Sequence, residues 1–211
     1  MTKFVVAVDG PSGSGKSSVC KEAARRLGFG YLDTGAGYRA FSIHAQGKDL
    51  ESALNSFDYQ ITLDPNSVEV TLSGRDVSSE IRTPLVAELV IPISREERVR
   101  KLQREDAQQR ISACPSDGVI VEGRDITTVV APEAQVRLLL TADPQVRVTR
   151  VTRRNGDANE SEANLMARDT SDSKVAQFLL PADGVTVIDT TNLDFEQSVQ
   201  ALLDEIAKVW K

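Results

Sequence analysis

The sequence predicts a doubly wound α/β fold, and three observations carry that prediction. Short, predominantly apolar runs recur at 4–8, 30–32, 118–121, 136–140 and 185–188, too short for helices and fitted to strands buried on both faces of a parallel sheet. Between several of them, 17–27, 95–111, 144–154 and 195–209 carry apolar residues at three- and four-residue spacing, the period of an amphipathic helix. The first run also feeds the first helical pattern through a glycine-rich turn, the strand–loop–helix order of a phosphate-binding unit.

The strand at 4–8 follows only Met1, Thr2 and Lys3, and five apolar residues are too few for a secretory h-region or a bilayer span. No later run exceeds about seven residues, so the expectation is a soluble, cytoplasmic protein with no membrane partner. The chain of 211 residues fits one core with lids rather than two independent domains, and its 40% apolar and 27% charged residues lie outside the disordered regime. Cys20, Cys114 and His44 are its only cysteines and histidine, too few for a structural zinc site or a disulfide framework, which points to a reducing compartment. None of the three is placed in the chemistry. His44 is expected to cap or pack a helix, Cys20 to face the core, and Trp210 to pack rather than stack on a base.

Between the second and third core strands the pattern changes. Residues 58–63 and 68–72 alternate apolar and polar around Asp64-Pro65-Asn66-Ser67, a hairpin signature, with a third short strand expected at 76–77. A hairpin does not fit inside a parallel core, so it is assigned to an appended subdomain. A polar stretch at 153–162 with Asn155-Gly156-Asp157 reads as a flap. The expected organisation is a core of 1–33, 99–146 and 176–211, an insert of 34–98 and a lid of 147–175.

Gly10-Pro11-Ser12-Gly13-Ser14-Gly15-Lys16-Ser17 fits G-x-x-x-x-G-K-[ST]. Glycines let backbone N–H groups converge on phosphate oxygens, and the following helix contributes the partial positive charge of its N-terminus. Lys16 is expected to reach the β- and γ-phosphates and Ser17 to offer its hydroxyl to Mg²⁺. With Ser18, these residues form the expected ATP site. Net charge is −6, which disfavours a sequence-independent grip on nucleic acid, while arginine outnumbers lysine 17 to 8 and suits a small phosphorylated ligand. No Asn-Lys-x-Asp guanine reader is present.

Tyr31-Leu32-Asp33-Thr34-Gly35-Ala36-Gly37-Tyr38-Arg39 ends the second strand as read, and Val121-Glu122-Gly123-Arg124-Asp125 ends the third. Both fall where ligands bind in such sheets. With 76–84 and Arg168-Asp169-x-x-Asp172-Ser173, these elements resemble the bacterial cytidylate kinases in order and spacing, over essentially the whole chain. The resemblance implies a P-loop NTPase-type core with a five-stranded parallel sheet, a small antiparallel-sheet insert and a short lid. It implies transfer of the γ-phosphoryl group of ATP to CMP or dCMP, with Mg²⁺, in a monomer.

Residue by residue, the resemblance puts Arg39 and Arg124 on the acceptor phosphate, Asp125 on the N4 amine of cytosine and Arg100 on the same ring. Arg168 and Asp172 are implied to make sugar and lid contacts, Glu122 to stand by the water shell of Mg²⁺, and Thr34 to belong with the acceptor site. The run Arg147, Arg150, Arg153, Arg154 holds no acid and spreads over one helix face. Next to a triphosphate it reads as a lid, with Arg150 and Arg154 screening the transferring group. The sequence departs from the family at Ile91, where a serine is usual and Ser94 stands three residues on. It departs again at Ser171 and Val175, where arginines are usual and only Lys174 adds charge. Two alternatives stay open on the residues alone: another small-molecule kinase of this fold, and a nucleotide-binding regulatory module without turnover.

Overall fold

The computed structural model describes residues 3–155 and 180–210, the side chains of 153–155 excepted. Strands β1 (Phe4–Asp9), β2 (Gly30–Asp33), β6 (Gly118–Gly123), β7 (Val136–Thr141) and β8 (Thr186–Asp189) form one parallel sheet in the order β2-β6-β1-β7-β8. All five predicted runs are strands of that sheet, most of them extended by one or two residues at the carboxyl end. The added residues include Asp9, Asp33 and Glu122, polar groups invisible to an apolar-run criterion that the ladder nonetheless holds.

β1 lies at the centre, and its side chains go alternately to two cores, as the two-residue period of a strand requires. Val6 and Val8 pack with α1 (Lys16–Leu27) and α7 (Phe195–Ala207) through Val19, Ala23, Val199, Leu202 and Ile206. Ala7 faces the other way, toward α2 (Thr34–His44) and α5 (Glu97–Ala113) through Ala36, Ala40, Ala107 and Ile111. Both faces are covered, which explains why the strands read as apolar runs without alternation. Trp210 closes one end of the first core against Phe4 and Phe29, at centroid distances of 4.8 and 5.1 Å. Cys20 and Cys114 are free and buried.

The insert contains α3 (Leu50–Asn55), an antiparallel sheet of β3 (Tyr59–Ile61), β4 (Val70–Leu72) and β5 (Arg75–Asp76), a 3-10 turn at Glu80–Arg82 and α4 (Pro84–Ile93). The third strand falls at Arg75–Asp76 rather than 76–77, and Val77 instead turns inward, 1% exposed, with its N–H donating to the Val70 carbonyl (2.8 Å). The small sheet is less detached than an appended hairpin. The Tyr31 N–H donates to the Leu63 carbonyl at 2.9 Å, covering the open edge of β2, and Tyr59, Ile61, Val70 and Leu72 share the core of α2 and α5. His44 closes α2, with Nε2 3.0 Å from Ser56 Oγ and its ring on Phe57.

Two helices, α3 and α4, went unread in the pattern, and the helix expected after Arg39 starts earlier. α2 begins at Thr34, immediately after β2, so residues 34–39 are helix rather than strand end. Glycine is a poor helix former, and Thr34-Gly35-Ala36-Gly37 therefore resembles a loop. Gly37 lies close against α5, where an added Cβ would meet the amide end of the Gln103 side chain and displace it. The short α3 starts on an Asp49 cap that accepts from the Ser52 N–H. α4 carries Pro84 in its first turn, where a proline costs nothing, but also Pro92 inside it. α6 (Pro144–Asn155) follows β7 as expected.

Candidate active site

The carboxyl ends of β1, β2 and β6 open into a cleft of about 1260 Å³, bounded by the 12–18 loop, α4 and the first turn of α7. The loop is held from below. Gly10 has φ +151°, and a Cβ there would sit 2.0 Å from the Leu140 carbonyl oxygen of β7, so only glycine lets the chain turn at that point. Lys16 is 9% exposed, and its Nζ donates to the Pro11 carbonyl at 3.1 Å, arching the loop over its own lysine. Burial lowers the pKa of this ammonium, Glu122 opposes the shift and Arg124 adds to it.

Ser17 Oγ donates to Glu122 Oε1 at 2.6 Å, and the Tyr31 hydroxyl donates to the same oxygen at 3.1 Å. A hydroxyl and a carboxylate therefore meet on the cleft floor beside Lys16. Hard oxygen donors at the head of a phosphate-binding loop fit Mg²⁺. Thr34 Oγ1 donates to the Glu122 carbonyl (2.9 Å), tying the start of α2 to β6.

On the insert side, Asp33 is 3% exposed. It accepts from Arg82 Nη2 at 2.8 Å and lies 3.9 Å from Arg39 Nη1, a buried atom that makes no hydrogen bond among the described residues. Burial acts to raise the Asp33 carboxyl, but the charges of Arg39 and Arg82 and the Arg82 hydrogen bond outweigh it and hold the group below the usual carboxylate range. Next along the floor, Arg100 Nη2 donates to Asp125 Oδ2 at 2.8 Å. Burial pushes the Asp125 carboxyl up despite that partner. Ile91 and Ser94 line the same region, with Ser94 Oγ donating to the Ile91 carbonyl at 3.0 Å.

The arginines of α6 are arranged differently from the expected open face. Arg147 is 6% exposed and donates from Nη1 to the Ser12 carbonyl at 3.2 Å, because that face of α6 packs beneath the loop. Arg150 lines the cleft, yet its guanidinium is spread over carbonyls and a hydroxyl. Nη2 donates to Thr190 O (2.8 Å) and Leu193 O (3.4 Å), and Nη1 to Thr190 Oγ1 (2.9 Å) and Ser14 O (3.5 Å). The side chain of Arg154, and Arg168, Ser171, Asp172, Lys174 and Val175, lie outside the described residues, as does most of the flap and lid at 147–175.

The cytidylate kinase family model matches residues 6–208. The chain belongs to the cytidylate kinase family. It is 39% identical over 213 residues to a cytidylate kinase of Cutibacterium acnes, covering 95% of each chain, and 40% identical over 217 residues to one of Rhodococcus jostii, covering 96% of this chain and 94% of that one. A gluconokinase from Sinorhizobium meliloti shares the fold, with a TM-score of 0.55 over 98% of this chain and 93% of that chain at 15% identity.

In this member of the cytidylate kinase family, Gly13, Ser14, Lys16, Ser17, Thr34, Arg39, Arg100, Glu122, Arg124 and Asp125 all line one cleft. Sequence reasoning passed over three neighbours. Arg82, Asp33 and the α4 wall at Ala87 and Val90 carry no role in the sequence pattern, and Ile91, singled out there only as a departure from the family, belongs to that wall. The signal for Asp33 was available, since an acid ending an apolar run inside a sheet needs donors from elsewhere in the chain.

Replacing Asp33 by Asn should destabilise the protein by about 1–2 kcal/mol at neutral pH, a modest figure because the Arg82 side chain is half exposed. The folded carboxyl is depressed, so its stabilising contribution is complete above the unfolded value near about 4 and declines as pH falls through the lower folded value. Urea unfolding from pH 8 to 2 should show a constant wild-type advantage above about pH 5 that shrinks in acid. An advantage unchanged down to pH 2 contradicts the assignment.

Proposed function

We propose that this cleft transfers the γ-phosphoryl group of Mg²⁺-ATP in line to the phosphate of CMP or dCMP, giving ADP and CDP or dCDP. The observation that carries the reading is the convergence, in one cleft, of Lys16 and Ser17 at the donor loop with the Arg100–Asp125 pair on the far side of Glu122.

The donor lies on the loop, its β- and γ-phosphates against backbone N–H groups and Lys16. Ser17 and Glu122 would hold Mg²⁺, directly or through water, and the ion supplies positive charge to the phosphate oxygens. The acceptor phosphate is already ionised near neutrality, since the second ionisation of a phosphate monoester lies near about 6. No protein base is needed at the attacking oxygen. The need is to bring two anions together, and Arg39 and Arg124 offset their repulsion and align them. Arg82 joins them as a third guanidinium, steadied by Asp33. Thr34 fixes the turn that presents Arg39.

Asp125 accepts from the exocyclic amine of cytosine, where uracil presents an acceptor, and Arg100 holds that carboxylate and donates to the ring. Ser94 supplies a hydroxyl near the position left apolar by Ile91. Ala87, Val90 and Ile91 give the base and sugar an apolar wall. Arg150 shapes the donor side by holding the Ser14 carbonyl. Arg154, Arg168 and Asp172 keep the lid and sugar contacts expected of them, and residues 34–98 and 147–175 act as acceptor arm and lid around the core.

Lys16→Ala should lower kcat by orders of magnitude, because the lost charge faces the atoms where negative charge shifts in the transition state. Its thermal midpoint should barely move, and a variant that keeps its rate but melts early marks Lys16 as structural. Asp125→Asn should lower kcat/KM for CMP roughly ten- to a hundredfold and raise that for UMP. An unchanged CMP-to-UMP ratio in steady-state assays removes Asp125 as the base reader.

A further inference from the structure

Asp9 is the last residue of β1 and the one immediately before the donor loop. It is 1% exposed and points away from the loop, across to the segment that follows β6. Oδ1 accepts from the Ile126 N–H at 2.8 Å, and Oδ2 accepts from the Thr127 N–H at 2.9 Å and the Thr127 hydroxyl at 2.6 Å. Those two N–H groups open the π-helical turn at Ile126–Val130, and the first N–H groups of any helical turn have no partner within it.

An aspartate at the position before such a turn ordinarily accepts from its second or third N–H with its own side chain. Here that residue is Asp125, and it does not. Its side chain makes no capping hydrogen bond and lies instead on Arg100 at 2.8 Å, in the cleft. Were Asp125 to cap its own turn, its carboxylate would be turned toward Thr127 and lost to the ligand. A buried N–H cannot be left unpaired without cost, so some other acceptor has to stand in.

We infer that Asp9 is a positioning residue for base recognition: by capping the 126–130 turn in place of Asp125, it releases the Asp125 carboxylate to face Arg100 and the acceptor base. The register places Asp9 directly beside Gly123, so one side chain spans from the root of the donor loop to the acceptor-reading segment. The inference rests on the proposed role of Asp125, but its structural half stands independently of that role.

The test replaces Asp9 by Asn, which keeps the shape and sets an amide against N–H donors. In a crystal structure of Asp9→Asn, the Asp125 carboxylate should have left Arg100 and accepted from the Thr127 N–H. A carboxylate still on Arg100 overturns the inference whatever the kinetics show. In steady-state assays KM for CMP should rise on the order of tenfold and the preference for CMP over UMP should fall, with KM for ATP changed less than about threefold. Equal rises in both KM values with the preference intact reduce Asp9 to a structural residue.

In the Asp125→Asn background, adding Asp9→Asn should cost no further preference, and an additive loss contradicts a shared path. If Asp125→Asn alone leaves the preference untouched, the base-reading role fails, and the crystal structure alone then decides the capping claim. Thr127→Val removes one of the three bonds and should give the same split at smaller size, so the question is answered even if Asp9→Asn does not fold.

Discussion

The pairing of β1 with β6 is the constraint on which the rest depends. It sets Val8 beside Glu122 and Asp9 beside Gly123, while β2 sets Asp33 beside Glu122 on the other side. Three carboxylates therefore end three adjacent strands, all buried, an arrangement that like-charge repulsion and desolvation oppose. Each is satisfied by a different part of the molecule. Asp33 takes the guanidiniums of the insert, Glu122 takes Ser17 of the donor loop, and Asp9 takes the backbone after β6. The same contacts that stabilise the row bring the 10–17 loop, Arg39 and Arg82, and the segment after β6 to one opening.

The cations of the cleft follow the same logic. A guanidinium on a long side chain loses much rotamer freedom when it is ordered, and here much of that ordering precedes the ligand. Arg100 rests on Asp125, Arg82 on Asp33, and Arg150 on the carbonyls of Thr190 and Leu193. Arg39 is held differently, by charge at 3.9 Å, with its Nη1 buried and without a hydrogen bond among the described residues. Preorganised charge of this kind lowers the cost of bringing two phosphates together, which is the main demand of the reaction.

The fold core and the donor loop could be read from the sequence because both are local. Four buried strands and the more exposed edge strand β8 read as apolar runs, and the loop reads from glycine spacing next to a strand. What escaped depends on contacts between distant segments. α2 looks like a glycine loop until Ala36 and Ala40 are seen packed into the core, and α4 looks irregular with its two prolines until its apolar side is seen as a cleft wall. Arg147 reads as part of a lid face because nothing local says that α6 lies under Ser12. Asp9 reads as the end of a strand because its partners are more than a hundred residues away. Arg39, Arg100, Arg124 and Asp125 came from family resemblance, and each lines the cleft.

The central claim is that one cleft joins a phosphoryl donor site to a cytosine-reading acceptor site. It is tested most directly by initial rates of ADP release from Mg²⁺-ATP with CMP, dCMP, UMP and AMP supplied in turn to the intact protein. Release should be rapid with CMP and dCMP, slower by at least about tenfold in kcat/KM with UMP, and least with AMP. Equal rates with CMP and UMP, or no release with any cytidine monophosphate, would contradict it.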